Sequence, residues 1–142
     1  MPPPSSSSIL HLNTLPEPFF VVQLGPKDVI PVTIQDALCK PSDRFLSVTR
    51  TPEEVSIVGE EYDGMPEQFR SHSTWTCIKI KGPMEHGLVG VMAAFTAPLK
   101  EAKVPVFAIS TWNTDFVLVP TAQVTSAVQA LVQDGWVFEA EN

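Results

Sequence analysis

His86, Ser110 and Asp115 are the residue types of a hydrolytic triad. A nucleophilic serine needs a base within hydrogen-bond reach and a sharp turn that exposes its hydroxyl. Ser110 sits instead inside the apolar run 104–110 (VPVFAIS), away from any G-x-S-x-G turn. No P-loop and no G-x-G-x-x-G fingerprint occurs. Cys39 and Cys77 are far apart, and with His11, His72 and His86 they build no zinc site. Both thiols stand in apolar contexts and read as buried and reduced, which suits a cytosolic protein. The acidic pairs Glu53-Glu54 and Glu60-Glu61 read as solvated charges. The expected chemistry is binding rather than catalysis: not an enzyme, with no cofactor and no metal.

The 142 residues, 44% apolar and 18% charged, allow one ordinary domain or two small ones with a real core. Nine Lys+Arg against 16 Asp+Glu give −7, without a basic stripe. That repels a phosphate backbone and disfavours an anionic membrane surface, so neither nucleic acid nor membrane is expected as a partner. No apolar run reaches the length of a bilayer span. Residues 1–8 (MPPPSSSS) lack the basic and apolar regions of a secretory signal and read as a solvated, disordered tail.

The elements that would position these residues are clearest in the second half. Residues 75–81 alternate into a strand that Gly82-Pro83 ends. Leu88, Val91, Met92, Phe95, Leu99 and Ala102 form one helical face over 87–102, with Pro98 expected to bend or loosen the last turn. Residues 104–110 read as a strand apolar on both faces, and its Pro105 confines it to a sheet edge. A short connection, 111–114, leads to a strand over 115–119. A helix then carries Val124, Val128, Leu131 and Val132 on one face and closes at Gly135, and 136–138 make a last strand. The order βαββαβ is a ferredoxin-like split βαβ of the α+β class, with both helices on one sheet face. The other face must be covered.

The first half repeats the theme imperfectly: a strand over 19–24, a short helix over 33–40, and strands over 45–50 and 55–58 joined by Thr51-Pro52-Glu53-Glu54. Those four residues match a capping box, yet no helical periodicity follows, so a single turn is expected. The polar stretch 63–73 marks the boundary. The expected organisation is a tail over 1–8, a degenerate copy over 9–70 and a full copy over 71–142.

Three stretches, 45–58 (FLSVTRTPEEVSIV), 87–90 (GLVG) and 107–120 (FAISTWNTDFVLVP), together resemble the tandem ACT-domain proteins of the CASTOR type, a family of cytosolic arginine sensors and small microbial relatives. The resemblance implies an ACT fold in two tandem copies and a cytoplasmic, non-catalytic regulatory protein that binds a small-molecule effector, an amino acid. It places ligand contacts on Met84, Glu85, Leu88, Val89 and Met92, and on Thr111, Trp112, Thr114 and Asp115. Val104, Pro105 and Val106 match the edge strand that a partner copy presents, so a homodimer with composite pockets is expected. Leu88 departs from an acidic residue in the arginine sensor, which weakens arginine and leaves an amino acid. The physical basis is simple: a helix N-terminus suits a carboxylate, and Asp115 suits an ammonium or basic side chain.

Each of these residues also has a plainer reading. Asp115 can cap the turn after Asn113-Thr114. Glu85 can serve the helix dipole, His86 can be a surface loop residue, and Trp112, Met92 and Phe95 can be packing residues. Gly87 and Gly90 can serve close helix–sheet approach. The alternative function is a protein–protein interaction scaffold with a vestigial pocket.

Overall fold

The computed structural model describes residues 7–84 and 89–139. The chain divides into two compact units, one over Glu17–Trp75 and one that joins the segment up to Pro16 with residues from Thr76 onward.

In the smaller unit, β2 (Phe19–Leu24), α1 (Val32–Cys39), β3 (Leu46–Arg50), β4 (Val55–Glu60) and α2 (Glu67–Arg70) follow in turn. The three strands form an antiparallel sheet ordered β3–β4–β2. Phe20, Val22, Val55 and Ile57 pack on Ile34 of α1 and Phe69 of α2. The stretch 63–73, expected as a boundary, belongs to this unit because Met65 and Phe69 are core residues. Glu60, expected as a solvated charge, ends β4 and accepts a hydrogen bond from the Phe45 N–H (3.2 Å). Its neighbour Glu61 pairs with Arg70 (3.1 Å), so this acidic pair is bound rather than freely solvated. Cys39 is exposed, contrary to expectation, whereas Cys77 is buried; both are free thiols.

In the larger unit, β5 (Trp75–Ile80) pairs antiparallel with β1 (Leu12–Thr14) and neighbours β7 (Asp115–Pro120), which pairs with β6 (Phe107–Ser110). Ile78, Ile80, Val117 and Val119 point to one sheet face. There they meet Val91, Phe95 and Leu99 of α3 (Val91–Glu101) and Ala127 and Leu131 of α4 (Val124–Gln133). The four-residue spacing of these helical side chains keeps each apolar stripe on the sheet. On the opposite face Cys77 and Leu118 are fully buried.

Four expectations are corrected here. Residues 9–16 group with the C-terminal unit, because Leu12 lies opposite Ile80 and Leu10 and Leu12 enter its core. In place of a last strand, the segment 136–138 forms a parallel bridge from Phe138 to Leu12, since β1 already pairs with β5. The strand expected from Val104 begins at Phe107: Lys103 takes a left-handed turn (φ 60°), and the Val104 N–H bonds back to the Leu99 carbonyl. Ser8 starts a 3-10 turn rather than continuing the tail, whose first six residues lie outside the described ones.

Candidate functional site

The hairpin between β6 and β7 closes through a threonine-bounded turn. The Thr111 N–H donates to the Thr114 carbonyl (2.9 Å), and the Thr111 hydroxyl reaches the same carbonyl (3.1 Å). Such side-chain bonds fix a turn without needing glycine. The turn sets Ser110 directly opposite Asp115, and the Ser110 hydroxyl donates to the Asp115 carboxylate at 2.5 Å. Asp115 is 8% exposed. A carboxylate this withdrawn from water retains a hydrogen-bonded partner because desolvating it alone is costly.

Beside the hairpin, α3 starts at Gly90, whose φ of 80° places it in the left-handed region. Gly90 offers no side-chain cap to this helix end, and the first N–H groups of a helix have no partner within it. A Cβ at Gly90 would meet nothing within 4 Å, so backbone conformation rather than close approach explains this glycine. Met84 is drawn in by its N–H, which donates to the Asn113 carbonyl (2.9 Å).

These pieces line one cleft of about 360 Å³. Of the expected ligand residues, Met84, Met92, Thr111, Trp112, Thr114 and Asp115 are brought together in its walls. Gly90, Val91, Ser110 and Asn113 join them; the sequence signalled Ser110 only as a nucleophile candidate. Val89 is exposed and stands outside the lining. Glu85 and Leu88, like His86 and Gly87, lie outside the described residues. Thr114 contributes little beyond backbone, because its hydroxyl is committed to the Ile80 carbonyl (2.8 Å) and the residue is 2% exposed. Trp112 stands 85% exposed at the hairpin tip. Val104, expected at a partner-facing edge, is buried in its own core, while Pro105 and Val106 are exposed.

The equivalent hairpin of the smaller unit shows what is particular here. Thr51 N–H bonds the Glu54 carbonyl (2.9 Å), and Arg50 lies opposite Val55, as Ser110 lies opposite Asp115. The turn is shared, yet the position of the carboxylate holds a fully buried valine. Only the larger unit has the charged version. A cleft that combines apolar walls, the start of a helix and one buried carboxylate can receive a small molecule carrying both an anionic and a cationic group. Among the described residues, no group of three or more His, Cys, Asp or Glu side chains could hold a metal, and no helix is long and apolar enough to cross a membrane.

Comparison with known proteins agrees with this geometry. Residues 70–133 match the ACT domain family ACT_7. The bovine cytosolic arginine sensor for mTORC1 subunit 1 is 28% identical over 102 residues, which cover 64% of this chain and 31% of that protein. The human protein CASTOR3P is 27% identical over 88 residues, covering 54% of each. The chain thus spans just under a third to about half the length of these relatives. Among solved structures, protein Atu0741 from Agrobacterium tumefaciens superposes with a TM-score of 0.75 at 26% identity over 93% of both chains. A structure of aspartokinase alpha and beta subunits gives 0.61 at 13% identity over 87% of this chain and 96% of that one, a likeness of fold. The ACT match and these relatives support a regulatory, small-molecule-sensing role in general.

Proposed function

We propose that this chain, which carries an ACT domain and resembles the CASTOR-type sensors, is a cytoplasmic, non-catalytic regulatory protein whose effector is an amino acid bound in the cleft between α3 and the β6–β7 turn. The observation that carries the reading is Asp115: a carboxylate withdrawn from solvent in the wall of the cleft that also contains the start of α3. In this reading the ligand's ammonium or a basic side chain meets Asp115, and its carboxylate meets the helix N–H groups. Met84 and Met92 supply adaptable apolar contact, and Trp112 closes over the mouth. The resemblance adds Glu85, Leu88 and Val89 to the ligand contacts. A second copy of the chain, presenting Pro105 and Val106 beside the outer strand β6, would make the pocket composite and the protein a homodimer.

A thermal-shift panel of the twenty amino acids tests this directly. An effector at 100 times its Kd adds about 2.7 kcal/mol of stability, a shift of several degrees for a chain of this size. A flat response to every amino acid, from protein shown to be folded, would sink the reading. Light scattering tests the dimer: a monomer mass across a wide concentration range contradicts it.

A further inference from the structure

The walls of the cleft and the amino-terminal arm, residues 9–14, are fastened to the same stretch of backbone, 80–84. On one side, the Gly82 N–H donates to the Ile9 carbonyl and the Lys81 N–H to the His11 carbonyl, each at 2.8 Å. Immediately before them, Ile80 lies opposite Leu12. On the other side, the Ile80 carbonyl accepts the Thr114 hydroxyl, the Met84 N–H reaches the Asn113 carbonyl, and Gly82 lies so close that a Cβ there would fall 2.9 Å from the Thr114 Cβ. Met84, Asn113 and Thr114 are cleft residues, and Asp115 follows next in the chain.

We propose that the arm is a strap: its docking holds the cleft in its binding shape, so that arm docking and ligand binding stabilise each other. The arm is built for separate opening. Its strand is three residues long, and it is attached to this unit only through what it touches, since residues 17–75 separate it in the chain from everything it packs on. What holds it is specific. Leu10 and Leu12 enter the core, the Leu12 N–H and carbonyl bond Val137 and Glu139, and the Glu139 carboxylate gathers Lys81 (2.9 Å) and His11 (3.4 Å). A short terminal element can open as a unit below the free energy of global unfolding. Ligand that needs the ordered cleft then favours the docked arm, and the docked arm favours ligand by the same factor. The part that concerns ligand rests on the proposed function; the mechanical coupling does not.

Hydrogen exchange followed by mass spectrometry on the full chain tests the coupling without any ligand. In Leu12→Ala, and in the milder Leu10→Ala should the first fail to fold, amides of 9–14, of Gly82 and Met84, and of 111–115 should exchange faster by a common factor, about tenfold or more. Amides of α4 and of residues 17–75 should keep their wild-type rates. Three results overturn the proposal: arm amides that accelerate while 111–115 stay at wild-type rates, α4 accelerating by the same factor as the arm, or an arm that opens no faster in either variant. A flat amino-acid panel would leave these rates untouched, so the two readings fail separately.

Discussion

Thr114 and Asp115 are adjacent, both buried, and do different work. The Thr114 hydroxyl satisfies the Ile80 carbonyl inside the fold, so Thr114→Val leaves a buried acceptor unpaired at a cost of about 1–3 kcal/mol. The expected outcome is a melting temperature lower by several degrees. Asp115→Asn keeps the shape and an acceptor for Ser110 while removing the charge. It should leave the unliganded melting temperature close to wild type and abolish the stabilisation given by any amino acid that shifts the wild-type protein. If Asp115→Asn unfolds the protein, Asp115 is a turn residue and not a ligand group. The sequence alone left these two readings of Asp115 level, because Asp before a strand suits a turn as well as a site. In the other hairpin Val55 holds the same position and the turn still forms, so this turn does not require a carboxylate.

The same contrast recurs among elements. Helices α3 and α4 end in one motif, with a bond from the sixth residue back to the first and a left-handed residue before it: Val104 to Leu99 across Lys103, and Trp136 to Leu131 across Gly135. Gly135 was legible, since glycine after an apolar helical face signals this ending. Lys103 was not, because nothing in a lysine announces a positive φ, and the apolar Val104 then read as the start of a strand. The mismatch is also a prediction. Lys103→Gly removes the Cβ strain of a left-handed residue and should stabilise by about 1 kcal/mol, seen as a rise of a few degrees in thermal melts. Gly135→Ala should shift the other way by a similar amount. The arm was equally hidden: Leu12–Thr14 is too short for periodicity to register, and its place beside β5 is set by contacts with residues far along the chain. Where apolar spacing was long and regular, as in α3, α4 and β5, reading and structure agree within a few residues.

Over the whole molecule, two carboxylates give the units opposite responses to acid. In the unit of residues 17–75, partial burial raises the Glu60 carboxyl above its ordinary value, reinforced by Glu17 and Asp43 and opposed by the Phe45 N–H and Arg44. A raised folded-state value means that its contribution is fully present below the unfolded value and is lost as pH rises through the folded one. In the other unit, the hydrogen bond from Lys81 holds the Glu139 carboxyl below its ordinary value, with the Lys81 charge and His11 adding to it and desolvation opposing. That contribution is present above the unfolded value and is lost as pH falls through the lowered one. Glutamine at either position removes the titration while keeping the shape. Glu60→Gln should therefore melt higher than wild type near neutral pH, the gain fading as pH drops through the carboxyl range. Glu139→Gln should melt lower near neutral pH, the deficit fading over the same interval. Thermal melts of both variants and wild type across that range check the signs, and two difference curves of the same sign would contradict the assignment of burial to Glu60 and of ion pairing to Glu139.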